Sequence, residues 1–91
     1  MKISIDQAFQ KGVEAHTAGK LKEAEHIYRA ILKIHPSHIA AHSNLGIMLY
    51  ELGRLEEAEL GYKKLIKQKP NYAEAHCNLG VIQHELNRLK E

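Results

Sequence analysis

The chain repeats itself every 34 residues. Displaced by that interval, Gly12, Gly46 and Gly80 align, as do Leu21, Leu55 and Leu89, and Glu23, Glu57 and Glu91. Ala24 pairs with Ala58, Tyr28 with Tyr62, Pro36 with Pro70, and Gly19 with Gly53. The segment Ala41-His42-Ser43-Asn44-Leu45-Gly46 returns as Ala75-His76-Cys77-Asn78-Leu79-Gly80. Residues 39–57 and 73–91 agree at ten of nineteen positions, where unrelated sequence of ordinary composition agrees at about one. A period of this length belongs to stacked units, each too small to bury its own apolar face without a neighbour.

Each unit reads as two helices. In the second unit Ala41, Leu45, Met48, Leu49 and Leu52 fall at helical spacing, and Leu55, Ala58, Tyr62, Leu65 and Ile66 continue the stripe in a second helix. The stop signals recur on schedule. Gly19, Gly53 and Asn87 are placed to close first helices in a left-handed cap, and Pro36 and Pro70 follow second helices. Ser4-Ile5-Asp6-Gln7 has the form of a capping box, with Ile3 placed to staple onto Ala8. Asn71-Tyr72-Ala73-Glu74 has the same form, and Ser37 is a weaker cap. Gly12, Gly46 and Gly80 lie inside helices, where glycine costs about 1 kcal/mol relative to alanine. A close helix crossing offsets that cost, with Ala24 and Ala58 expected to meet the gap and Tyr28 and Tyr62 to fill the space between hairpins.

Composition narrows the function classes. A formal charge of +2 is far from the dense positive surface of a dedicated nucleic-acid binder. No apolar run approaches the roughly 18 residues that span a bilayer, and the N-terminus lacks the apolar region of a secretory signal. The single cysteine, Cys77, has no internal disulfide partner, which points to a reducing, cytoplasmic location. No catalytic triad, phosphate loop or acid pair is recognisable, so an enzyme is not expected in these 91 residues, and neither is a cofactor.

These repeats resemble those of the tetratricopeptide (TPR) family, over nearly the whole chain. The units run 5–38, 39–72 and a partial 73–91 within one domain, 1–91. Gly12, Ala24, Tyr28 and Pro36 fit the pattern in the first unit. Leu45, Gly46, Gly53, Ala58, Tyr62 and Pro70 fit it in the second, and Leu79 and Gly80 in the third. Departures are Lys11, where leucine is usual, and His42 and His76, where an aromatic is common. The resemblance implies an all-α, right-handed superhelical stack of antiparallel helix hairpins, two full and a truncated third. It implies a non-catalytic protein–protein interaction module whose concave groove binds an extended peptide or partner helix.

The resemblance places Gln10, Asn44 and Asn78 on that concave face. A carboxamide both donates and accepts, so it can bond a peptide backbone whatever the side chain. With hairpins about 10 Å apart and an extended strand advancing about 3.3 Å per residue, one Asn would meet roughly every third residue. The wording Ala-His-x-Asn-Leu-Gly is similar to the repeats preceding the catalytic region of O-linked N-acetylglucosamine transferases, which would make the chain a segment of a longer glycosyltransferase-like or scaffold protein. Solvated helix surface is an equally open role for Asn44 and Asn78. Neighbouring concave positions are Phe9, Ser43 and Cys77; Val13, Ile47 and Val81; His16, Tyr50 and His84; and Thr17, Glu51 and Glu85. With Asp6 and Glu74 the groove is mildly acidic, so the expected ligand is a neutral or basic segment. The related repeats that grip the acidic C-terminal tails of heat-shock chaperones use lysine, asparagine and arginine at positions held here by Phe9, Val13, Asn44, Glu74 and Asn78, and only Asn44 agrees. Glu74 would repel such a tail, so chaperone-tail binding is not expected.

The other chemistry is weaker. His38 and His42 are four apart, a spacing open to a metal, but no carboxylate or cysteine completes the set, so no metal is expected. Lys63, Lys64, Lys67 and Lys69 spread around a second helix as a solvated face, with a membrane or RNA patch as the lesser alternative. RNA-binding helical repeats are the rival class, and no nucleic acid or membrane is expected. The third unit lacks its second helix, leaving Leu79, Ile82, Leu86 and Leu89 to be covered, and self-association through residues 73–91 is expected.

Overall fold

Ser4 opens the first helix. Its Oγ accepts from the Gln7 backbone at 3.1 Å, and the Gln7 side chain accepts in return from the Ser4 N–H at 2.9 Å, completing a capping box. The computed structural model describes residues 3–90, so Met1, Lys2 and the aligned Glu91 lie outside the described residues. Five helices follow one another: α1 (Ile5–Thr17), α2 (Leu21–Ile34), α3 (Ile39–Glu51), α4 (Leu55–Gln68) and α5 (Ala73–Lys90). Among the described residues there is no strand, and no helix is long and apolar enough to cross a membrane. Each helix packs on the next in chain order, giving an all-α helical-repeat solenoid that measures 51 × 28 × 17 Å.

Glycine with positive φ turns α1 into α2 and α3 into α4. Gly19 (φ 79°) and Gly53 (φ 77°) donate back to His16 and Tyr50, and Lys20 and Arg54 donate to Ala15 and Leu49, the paired bonds of a Schellman cap. Asn87, expected to do the same in the third unit, does not. The helix α5 runs through it to Lys90. A left-handed asparagine is strained relative to glycine, and no second helix among the described residues packs back on α5 to offset that strain.

The entry to α3 also differs from expectation. His38, not Ser37, is the cap, its Nδ1 accepting from the Ala41 N–H at 3.1 Å. At the start of α5 the Glu74 carboxylate accepts from the Ser43 hydroxyl at 3.2 Å and the Tyr72 hydroxyl at 3.1 Å. It is thereby drawn to α3 rather than back to Asn71, because a tertiary donor lies within reach.

The core is a single row of side chains between the helices: Ala24, Tyr28, Ile31, Met48, Ala58, Tyr62, Leu65 and Ile82 are almost wholly buried. The tyrosines, rather than Ala24 and Ala58, occupy the glycine gaps. A Cβ on Gly12 would stand 2.7 Å from Tyr28 Cε1, and one on Gly46 2.7 Å from the Tyr62 ring. These glycines are where a phenol ring crosses the neighbouring helix, which the sequence pattern left to the alanines. Ile82, expected to be left partly uncovered, is 1 % exposed, because α4 packs on α5. Leu89 on the same helix is 74 % exposed.

Candidate functional site

The residues expected in the groove divide into two groups. Ile47 and Tyr50 of α3 and Asn78 and Val81 of α5 line one pocket of about 280 Å³, together with Glu74, Tyr62 and Ile82. Phe9, Val13 and His16 of α1 lie outside this pocket, toward the other end of the array. Phe9 is partly covered, its ring centroid 5.3 Å from that of His38 and 6.0 Å from that of Tyr28. Gln10 and His84 are exposed. Ser43 is buried with its hydroxyl on Glu74, whereas Cys77 is exposed.

The carboxamides are tied to the tyrosines of the preceding hairpin. Asn44 Nδ2 donates to Tyr28 Oη at 3.4 Å, and Asn78 Nδ2 to Tyr62 Oη at 3.2 Å. Tyr62 Oη also donates to the Ser43 carbonyl at 3.4 Å. One amide proton of each Asn therefore holds its rotamer, while a carboxamide retains a second N–H and an acceptor oxygen. Burial pushes the Tyr62 hydroxyl up to about 12 and raises that of Tyr28, since an anion in the core would be poorly solvated. Both phenols stay protonated and neutral at physiological pH.

Charges on this face are largely paired. His16 Nε2 lies 3.0 Å from Glu51 Oε1 and links α1 to α3. Glu85 pairs with Arg88 one turn on, at 3.3 Å. Across the turn between hairpins a tighter network forms: Arg54 bonds Glu25 at 2.7 and 3.0 Å and Glu57 at 2.6 and 2.9 Å, while Arg29 bonds Glu25 at 2.9 Å and Glu57 at 3.3 Å. Arg54 first, and Arg29 after it, holds the Glu25 carboxyl below its ordinary range; Glu57 is lowered chiefly by Arg54.

The histidines are engaged in the turns. His42 Nε2 lies 3.0 Å from the Pro36 carbonyl and His76 Nε2 2.6 Å from the Pro70 carbonyl. A carbonyl only accepts, so both rings carry their proton on Nε2. Burial depresses the His42 pKa further than its bond to Pro36 raises it, and Lys64 and His38 add to the fall. His38 Nδ1 is occupied by the Ala41 N–H, so the two histidines four apart face different partners.

Two contributions were not foreseen: Tyr62 and Ile82 as pocket walls, and the tyrosine-to-asparagine bonds. The second had a signal in the sequence. Tyr28 precedes Asn44, and Tyr62 precedes Asn78, by sixteen residues each, and a spacing that recurs with the repeat marks a contact that recurs with it.

The architecture defines an all-α helical-repeat protein. The family model of the TPR repeat matches residues 46–87. The fold superposes on solved MamA AMB-1 with a TM-score of 0.84 at 21% identity, covering 93% of this chain and 46% of that one. It superposes on the MamA RS-1 ArsTM double mutant at 0.83 and 21%, covering 96% and 49%. The TPR2B domain of yeast Sti1, solved in a complex with pHsp70, gives 0.82 at 24%, covering 92% and 67%. The chain therefore spans about half the length of the MamA chains it resembles. No curated protein sequence matches it significantly.

Proposed function

We propose that the chain is a non-catalytic protein-interaction module that binds an extended polypeptide in the groove between α1, α3 and α5. The observation that carries this reading is the pocket of Ile47, Tyr50, Asn78 and Val81, which puts an apolar floor beside a carboxamide held by Tyr62. A pocket of that composition takes an apolar side chain and fixes the adjacent backbone through the free amide atoms. Asn44 extends the ladder toward the first hairpin, where Gln10, Phe9, Val13 and His16 would continue it. Glu74 lines the pocket and has no cationic partner among the described residues, which favours a neutral or basic ligand. The yeast Sti1 neighbour, solved with pHsp70 bound, supports the fold as a polypeptide carrier. The likeness to transferase-associated repeats, and with it membership in a longer protein, rests on the repeated Ala-His-x-Asn-Leu-Gly wording.

The test is a peptide selected by display against the protein. Replacing Asn44 and Asn78 together by Ala is expected to weaken it while helicity is retained, and a Val81→Asp change to abolish binding. Unchanged affinity in both variants sinks the groove reading.

A second reading, self-association through residues 73–91, is favoured by α5. A Cβ on Gly80 would meet nothing within 4 Å, unlike its counterparts Gly12 and Gly46, and Leu79 beside it is only partly buried. A second copy covering that face predicts concentration-dependent sedimentation; a clean monomer at high concentration would count against it.

A further inference from the structure

The opposite side of the stack carries a second groove, between α2 and α4, with a volume of about 400 Å³. Its apolar lining comes from Leu32, Leu45, Leu49 and Leu60, and Leu60 is 56 % exposed. It owes its depth to Gly61. One repeat earlier the same position is Ile27, whose Cγ2 would lie 3.2 Å from a Cβ on Gly12 and so packs against α1. At Gly61 a Cβ would meet nothing within 4 Å. Nor does the backbone require glycine there, since the positive-φ glycines are Gly19 and Gly53. Glycine inside a helix costs about 1 kcal/mol relative to alanine, and at Gly61 neither packing nor backbone conformation offsets it. What it leaves is an open notch.

The rim is positive. Lys33 and Lys64 line the groove, and among the described residues neither lies within ion-pair distance of a carboxylate. Glu57, the one acid in the lining, is neutralised by Arg54 and Arg29. The His42 ring is occupied by the Pro36 carbonyl. No Tyr, Phe or Trp lines the groove to stack a nucleic-acid base. A notch the size of one side chain, bordered by two free ammonium groups, complements a polypeptide that presents one bulky apolar residue among acids.

We propose that this outer groove is a second docking site, which receives one large aliphatic or aromatic side chain of an acidic partner segment at Gly61 while Lys33 and Lys64 hold the flanking carboxylates. It is independent of the inner groove, and its ligand has the opposite charge.

The probe is a synthetic helical peptide of glutamate and alanine with one central leucine, titrated into the whole chain and followed by amide NMR shifts. Its counterpart with lysine for glutamate, phosphatidylserine vesicles and oligouridylate are titrated in parallel. Shifts centred on Leu60, Gly61 and Lys64 with the acidic peptide alone support the site. Gly61→Ile, which restores the residue of the first hairpin, should then weaken binding about tenfold, the scale of one lost anchor. Should that variant fold poorly, the double change Lys33→Glu and Lys64→Glu gives the same loss without touching the notch. No shift with the acidic peptide, equal binding of the lysine peptide, or shifts produced only by vesicles or RNA overturns the proposal. Shifts at Tyr50 and Val81 instead of Gly61 overturn it too.

Discussion

The same glycine has two fates in this chain. In α1 and α3, Gly12 and Gly46 lie under the rings of Tyr28 and Tyr62, with no room for a methyl group. In α5, Gly80 at the equivalent position faces open space. Local sequence around Gly46 and Gly80 is nearly identical, so the difference lies in what packs across them: α4 crosses α3, whereas no helix among the described residues crosses α5 on that side. A glycine repeated in register is thus a contact in two hairpins and an unfilled notch in α5.

The largest expected effect follows directly. Gly46→Ala should destabilise by about 2 kcal/mol through overpacking against the buried Tyr62 ring, while Gly80→Ala should stabilise by about 1 kcal/mol through helix propensity. Urea denaturation of both variants measures the opposition, and a destabilised Gly80→Ala would show that something covers that face in solution.

Next in size is the phenol. Tyr62→Phe removes the bonds to Asn78 and Ser43 and should cost about 1 kcal/mol. Tyr28→Phe, losing the single longer bond to Asn44, should cost less, and equal losses would mean that the Ser43 bond contributes nothing.

Acid should loosen the first two hairpins before α5. The folded pKa of His42 is depressed, so folding binds fewer protons there than the unfolded chain does. Its contribution is present above the ordinary histidine value of about 6.5 and is lost as pH falls below it. The lowered Glu25 and Glu57 lose theirs further down, below the ordinary carboxylate range. Thermal melts across pH should show two successive declines, and His42→Gln should erase the first. Arg54→Ala should lower the melting temperature at low salt and differ little from the parent at high salt, because the network around it is half-exposed and screened.

The smallest effect concerns the turn that did not form. Asn87→Gly should cost about 0.3 kcal/mol by helix propensity and speed amide exchange over residues 88–90. Unchanged exchange would mean that the end of α5 already frays.

Much of this was legible in the residues. The period, the hairpin count, the Schellman turns at Gly19 and Gly53 and the cap at Ser4 all follow from local chemistry repeated on schedule, and local rules act within a few residues of chain. The groove was legible only in part. Ile47, Tyr50, Asn78 and Val81 share a pocket, but the Tyr62 wall behind Asn78 and the diversion of Glu74 to Ser43 depend on which helix lies opposite. Asn87 failed as a stop for the same reason. A cap with a weak intrinsic preference takes its conformation from the helix that packs back on it.

Sequence alone determined the unit, its length and where its helices begin and turn, because those are set by backbone preferences of single residues. Tertiary structure decided which glycine is a contact and which a notch, which tyrosine hydroxyl holds which asparagine, and that Gly61 faces open space where Ile27 packs against Gly12. Those outcomes depend on the volume and polarity of the neighbouring helix, and an aligned position in the next repeat does not inherit them.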